Sequence, residues 1–529
     1  MARSGDVMTQ DRSVEVDELG PGAPTPPIPI KGGGAAATSK RRGSRVGITE
    51  AVLRDLRSTC AEVTEDPEVI GEASRDWWPL AMTWALAGQV GSRAAAVARP
   101  TTAQEVAELL AVCNKWGLPV TAAGGRSGVL GASVPVFGGV LLDMCGLSGI
   151  VDVDDESLTV NVLPGTFGDL FEDELRSSYS LTCGHWPQSM ALSTVGGWIA
   201  CRGAGQMSTR YGKIEDMVQG LDVALADGRI VSTGGYPRAA TGPDLTQLFV
   251  GSEGTLGVIT SARLRVHPSP TEDRRSAWSL ASFDEGLELC RRILRRGATP
   301  AVLRLYDSIE SERNYHLGDG RCVVLVLDEG DPAIIDGVMS VVTDEARHAG
   351  AAPLDAALLD VWLAKRNDVA ALEQLISRGL LVDTLEVSGR WSVLSGLHQA
   401  VIAAIAAVPG VLAVSAHCSH SYLDGGCLYF TFAAQPSAAD GSAAPSPEEV
   451  DALYLSLWDA GTQAVHASGG SLSHHHGVGL NRSRFVADAL GGGLEVFRSL
   501  KTALDPKGIM NPGKMGLKSA YGSIGLLGE

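Results

Sequence analysis

Cationic residues are scarce in this chain of 529 residues: 43 Lys and Arg stand against 61 Asp and Glu, for a formal net charge of -18. Nucleic-acid binding needs Lys and Arg gathered on one face. The tail's basic run is the short one Lys40, Arg41, Arg42 and Arg45, so no nucleic-acid partner is expected. The nine Cys contain no C-x-x-C pair, which disfavours a disulfide framework and reads as reduced thiols of the cytoplasm. No basic run leads into an apolar one near residue 1, so no signal peptide is expected. The longest uncharged apolar stretch, 400–416, is broken by Pro409 and Gly410. It reads as a buried helix followed by a strand, not a membrane span. Neither G-x-G-x-x-G opening a helix after the first strand nor G-x-x-x-x-G-K-[ST] is found, which disfavours the commoner nucleotide folds. A soluble, cytoplasmic protein is expected, and any membrane contact would be peripheral.

Glycine is what the chain has in excess. Its 64 Gly in 529 residues make about 12%, against an average near 7%, and no collagen period organises them. The length predicts two to four domains. Residues 1–46, rich in Pro, Gly and Ala, read as a disordered tail with little to bury. Helical periodicity begins at Ile48 with Thr49 as N-cap. A β-α-β unit follows, its helix capped by Thr102 and its second strand running into Ala123. From about 270 the pattern alternates helices (near 283–296, 353–379 and 391–408) with strands. The cluster Arg75, Asp76, Trp77, Trp78 and Pro79 reads as buried aromatics at a domain joint in preference to a substrate mouth.

Five glycine clusters lie between Gly124 and Gly257. The first directly follows a predicted strand, where consecutive glycines let backbone N–H groups form a nest for an anion such as a pyrophosphate. Any one cluster alone is as well explained by a surface turn. Five within about 135 residues favour one large phosphate-bearing cofactor.

The segments PVTAAGGRSGV, ALSTVGGWIACRGAGQMSTRYGKIEDMV and GPDLTQLFVGSEGTLGVIT, in that order, resemble the FAD-binding domain of the vanillyl-alcohol-oxidase/PCMH flavoprotein superfamily. The resemblance implies a pyrophosphate site at Thr121, Ala122, Ala123, Gly124, Gly125, Arg126 and Ser127. It implies a flavin lining from Pro187, Gln188, Ser189, Met190, Ala191, Leu192 and Ser193 with Ala200, Cys201, Arg202 and Gly203. Glu253, Gly254, Thr255, Leu256, Gly257, Val258 and Ile259 would complete the dinucleotide site. Many members tether the flavin through a His in the first glycine loop. Arg126 stands at the comparable place here, so noncovalent FAD is expected.

A second signal is Ser473-His474-His475-His476-Gly477-Val478-Gly479. Upstream, His417 and His420 precede a strand in which Tyr429 and Thr431 share one face and Phe430 and Phe432 the other. Three readings of the His run compete. A metal site is disfavoured because neighbouring side chains of an extended segment point opposite ways and no H-x-x-x-H spacing accompanies them. A plain surface run is disfavoured by its internal position. General acid/base work beside a flavin is preferred, since imidazole titrates near neutral pH.

The SHHHGVG run, with HCSHSY and CLYFTF before it and PAVLRLYD further upstream, is similar to the alkyl-dihydroxyacetonephosphate synthases. In that family FAD works without net redox change while the acyl chain of acyl-dihydroxyacetone phosphate is exchanged for a fatty alcohol. The resemblance implies Tyr429 as proton-transfer residue, His474, His475 and His476 as acid/base residues, and Arg304 as an active-site arginine, a group suited to phosphate or carboxylate. One departure stands out. Counting back at the family's spacing from Glu386-Val387-Ser388-Gly389-Arg390-Trp391, Leu372 occupies the place of a phosphate-binding Arg. Arg366 and Arg378 lie nearby.

The expected fold is α+β: a PCMH-type, two-subdomain FAD-binding domain over 47–268, a cap domain with an antiparallel sheet over 269–500, and a segment 501–529 returning to the FAD domain. The expected function is that of an FAD-dependent transferase resembling alkylglycerone-phosphate synthase, acting on a small-molecule or lipid-like substrate. The alternatives are an FAD-dependent dehydrogenase or oxidase of small 2-hydroxy acids and a flavin-binding protein without turnover. A homodimer is compatible with the sequence.

Overall fold

The computed structural model describes residues 22–438 and 445–525. Three sheets organise them. The first holds the expected β-α-β unit: Thr102 caps the helix Ala103–Trp116 in a full capping box with Glu105, and the flanking strands are Ala96–Ala98 and Val120–Ala123. Those strands are not neighbours. Val140–Asp143 lies between them, parallel to both. Thr49 caps the helix Glu50–Thr59, which packs Val52, Leu53 and Leu56 against Val106, Leu109 and Leu110 of the longer helix.

The second sheet has five antiparallel strands running from Ile150–Asp154 to Ile230–Gly234 at its edges, with Val218–Ala224 and Val258–Arg265 inside. The third has seven strands, all antiparallel. One of its faces is apolar: Leu305, Val324, Leu385, Leu428, Phe430 and Phe432 pack against the helices Phe283–Arg295, Trp391–Ala406 and Pro447–Ala467. The stretch 400–416 is indeed helix followed by strand, and no helix among the described residues is long and apolar enough to cross a membrane.

Register places the chemistry on the opposite face of this third sheet. Tyr306 pairs with His417, His417 with Tyr429, and Tyr429 with Glu386, so one row of polar side chains crosses four strands. A bulge between Cys418 and His420 brings His420 onto the same face, opposite Cys427. Plain alternation would have turned it away.

Three sequence expectations need correction. Residues 22–46 are packed, not free: Ile28, Ile30 and Ala37 are buried with Trp77, Met82 and Val90, and Thr38–Ser39 pairs in parallel with Gln89–Val90. The cause is recruitment by distant donors. Arg75 and Trp77 Nε1 donate to the carbonyls of Ile28 and Thr25, and Arg93 to those of Gly34 and Ala37. The part of that tail before residue 22 lies outside the described residues. The expected helix over 353–379 is a strand, Ala352–Leu354, and two helices, Leu358–Lys365 and Ala370–Ser377, parted where Asp368 Oδ1 accepts from Ala370 N–H. The boundary placed at 500 falls within the helix Gly493–Leu504.

The C-terminal segment lies against the first sheet, with Val120 N–H donating to Ile509 O and Asn511 N–H to Val120 O. The helix Pro79–Leu86, preceded by Trp78, meets the third sheet and the helix Pro447–Ala467 at a buried aromatic joint. Trp78 Nε1 donates to Tyr454 Oη at 2.8 Å, and Tyr454 Oη and Trp458 Nε1 both donate to Asp383.

Candidate functional site

The histidine loop owes its shape to two buried carboxylates. Glu386 accepts from the N–H groups of His474, His475 and His476, from Ser473 Oγ, and from Arg482 Nη1 at 2.7 Å. Three consecutive N–H groups on one carboxyl require a turn, not an extended segment. The rings of His474 and His475 consequently approach, Nδ1 to Nδ1, at 2.9 Å, which corrects the expectation that neighbours point apart. Burial opposes ionisation of Glu386, but Arg482 and the histidines hold its carboxyl well below the usual carboxylate range. On the other side Glu253 accepts from Val478 and Gly479 N–H at 2.6 and 2.8 Å.

From His475 a chain of polar atoms runs onward. His474 Nε2 lies 3.0 Å from Tyr422 Oη, Tyr422 Oη 3.0 Å from Ser208 Oγ, and Ser208 Oγ 2.7 Å from His420 Nδ1. His420 in turn stacks on His474, ring centres 5.0 Å apart. Tyr429 is flanked by His417, His476 and His475 at 4.9, 5.5 and 6.0 Å, and its hydroxyl donates to Thr384 Oγ1. Burial is the main cause that depresses every ring of the loop: His476 sits at about 4, and His474, His475 and His420 are well below the ordinary value. At neutral pH these imidazoles are uncharged and can accept protons.

Arg304 joins the cluster through His417. Its Nη2 donates to His417 Nε2 at 2.6 Å and its Nε to Tyr306 Oη at 2.8 Å. A guanidinium only donates, so His417 carries its proton on Nδ1, 2.7 Å from Glu310 Oε2. The five side chains singled out from sequence as catalytic candidates thus lie in one assembly. Tyr422, His417, His420, Ser208, Glu310 and Glu386 belong to it as well. In the sequence His417 and His420 are expected only ahead of a strand. The structure puts both in the strand Val411–Ser421, and their shared face depends on the bulge, which leaves no sequence signal.

The nitrogens of His420, His474 and His475 lie within 4.8 Å of one another. That spacing is short enough for protons to pass between the rings or for the three nitrogens to share a metal ion.

The glycine-rich segments converge beside this assembly. A Cβ on Gly125 would fall 2.1 Å from Leu192 O, and one on Gly124 2.3 Å from Thr194 Oγ1, so the first loop lies directly on the 187–194 segment. Glu253 N–H donates to Ala200 O and Gly251 N–H to Ile199 O. Gly254 stands over Ala122, and Asn511 Nδ2 donates to Glu253 O. Leu256 and Val258 bury their side chains in the cores, so only their backbone faces a ligand. Ser193 Oγ is engaged by Trp198 Nε1, while Gln188 reaches Asp368 O of the cap side.

The cradle fits a dinucleotide. Arg126 is left-handed (φ 57°), the N–H groups of Gly125, Arg126 and Ser127 donate to nothing among the described residues, and Arg126 Nη1 is buried without a hydrogen-bond partner. Free N–H groups in such a turn bind phosphate oxygens. Cys201, nearby, has its thiol pushed up to about 12 by burial, so it is not a thiolate.

Fold and cradle define the class, an FAD-dependent enzyme, and the comparisons agree: residues 94–234 match the family described as FAD binding domain and 269–515 that described as FAD linked oxidases, C-terminal domain. The chain belongs to the FAD-linked oxidoreductases. It is 32% identical over 437 residues to the uncharacterized FAD-linked oxidoreductase YgcU of Escherichia coli (strain K12), covering 79% of this chain and 88% of that one. It is 28% identical over 464 residues to the alkyldihydroxyacetonephosphate synthase of Dictyostelium discoideum, covering 81% and 74%. A solved alkyldihydroxyacetonephosphate synthase superposes with a TM-score of 0.73 at 23% identity, covering 93% of this chain and 89% of that one.

Proposed function

We propose that this enzyme exchanges the acyl group of an acyl-dihydroxyacetonephosphate-like substrate for a fatty alcohol, with noncovalent FAD and no net redox change. Thr121 to Ser127 would hold the pyrophosphate, and the 187–193, 200–203 and 253–259 segments the rest of the dinucleotide. Bound FAD supplies a centre that can accept an electron pair from carbon or donate one to it. The chain's own side chains handle protons and charge. Tyr429, beside the neutral His475 and His476, gives up or takes a proton at its hydroxyl. A proton taken up at His475 passes through His474, Tyr422 and Ser208 to His420. Arg304, oriented by His417 and Glu310, faces the anionic end of the substrate.

The observation that carries this reading is the unbroken chain His475, His474, Tyr422, Ser208, His420. Abstraction of one proton from a hydroxy acid needs a single base. Exchange of one oxygen substituent for another must release a proton with the entering alcohol and return one with the leaving acid. The test is anaerobic turnover of purified holoenzyme, given acyl-dihydroxyacetone phosphate and a fatty alcohol without an electron acceptor. Ether product is expected, with kcat lowered about 10²–10⁴-fold in His475→Gln and Tyr429→Phe. Bleaching of the flavin by a 2-hydroxy acid, with no ether formed, would sink the proposal and favour a dehydrogenase.

A further inference from the structure

Two guanidinium groups at the junction lack a carboxylate within 4.0 Å among the described residues, and they flank the same indole. Arg304 and Arg366 have their Cζ atoms 5.9 and 5.7 Å from the ring centre of Trp362. Arg366 continues to Trp186, 5.1 Å away, whose ring also carries Arg176 at 5.2 Å. Around Arg366 the unsatisfied polar atoms accumulate: its own Nη1, Trp186 Nε1 and Gln206 Oε1 are all buried without a hydrogen-bond partner. Gln206 is held there by its Nε2, which donates to Arg366 O at 3.0 Å.

The neighbouring charges do not resolve this. Arg176 is paired with Glu172, and Arg210 with Asp328. Glu329, the acid that attracts Arg366, accepts from Tyr211 Oη at 2.8 Å. Burial, then Arg176, disfavours the charge on Arg366. Buried donors without acceptors are rare in folded proteins because each costs a lost hydrogen bond to water. Two of them, Arg366 Nη1 and Trp186 Nε1, lying beside two guanidinium groups without a carboxylate, indicate a missing anion.

We propose that Arg366, together with Arg304, forms the subsite for the anionic end of the substrate, a phosphate or a carboxylate, with Trp362 and Trp186 as its walls. Leu372 itself packs, partly buried, against the apolar cluster of Ile28, Met82 and Ile376. The shift of the binding cation from 372 to 366 places it one helix earlier, at the C-terminal end of Leu358–Lys365. The inference rests on the reading of this junction as the substrate site, but not on which reaction follows.

Isothermal titration of the holoenzyme with inorganic phosphate and, separately, with acetate reads binding without turnover, so it can fail independently of the exchange reaction. Saturable heat is expected with one of the two anions, identifying the headgroup. The affinity should fall about tenfold or more in Arg366→Gln and in Arg304→Gln, the loss expected for a charged hydrogen bond. Arg366→Lys, which keeps charge but not the planar fork, should fall in between. Arg378→Gln, at an exposed position, should bind as the unmodified protein does. Absence of saturable heat in the unmodified protein overturns the proposal, and so does equal affinity in Arg366→Gln with bound flavin retained. Should Arg366→Gln fail to fold, the lysine variant and the unmodified protein still decide.

Discussion

His474, His475 and His476 reach the site uncharged because an imidazolium there would leave water with Glu386 as its only near counter-ion. That carboxylate is already occupied by Arg482 and by N–H and O–H donors of the loop itself. The sign of the pH effect follows. An unfolded chain protonates His476 near 6.5, whereas the folded one waits until about 4, since burial disfavours the cation. Between those values the unfolded state binds the extra proton, so this ring's contribution to stability is complete above about 6.5 and declines as pH falls toward 4. In a carbon-detected NMR titration of the holoenzyme the His476 ring should titrate near pH 4. An inflection at the ordinary histidine value would remove the physical basis for assigning these rings as neutral proton acceptors.

At the scale of single elements, two glycines give opposite predictions. Gly477 has φ +83° and a Cβ there would lie 2.3 Å from Glu253 Oε1. Gly477→Ala is expected to cost about 1–3 kcal/mol and to loosen the histidine loop from Glu253. Gly396 lies in the helix Trp391–Ala406, exposed, with nothing within 4 Å of a Cβ. Gly396→Ala should therefore stabilise by about 0.5–1 kcal/mol. Chemical denaturation checks both, and matching signs would mean that the loop geometry is wrong. Elements of this kind were legible to different degrees. The Thr49 and Thr102 caps, the alternation that exposes Tyr429, and the glycine clusters all follow from local spacing. The bulge that turns His420 toward the site and the Glu386 clamp do not, because each depends on which strand lies beside which.

Pairing at a distance also explains why residues 22–46 are packed although their composition suggests a free tail, and it sets the prediction at the scale of the whole molecule. Composition measures what a segment can bury by itself, and 22–46 contains little beyond Ile28, Ile30 and Ala37. Its attachment is written elsewhere in the chain, in donors that need acceptors. Arg75 and Trp77, only 3% and 5% exposed, donate to Ile28 O and Thr25 O. Arg41 ties the same segment to Ser523 and Ile524 near the other end. Deleting residues 1–46 would uncover the apolar patch around Trp77, Met82 and Ile376 and take the carbonyl acceptors from Arg75 Nη1 and Trp77 Nε1, each at about 1–3 kcal/mol. Part of that loss is offset by the chain entropy no longer spent on ordering the segment. The shortened protein is expected to melt several degrees below a form lacking only residues 1–21, as a loss of a few kcal/mol does in a chain of this size. Differential scanning calorimetry of the two truncated holoproteins makes the comparison, and equal midpoints would show that the segment adds nothing to stability.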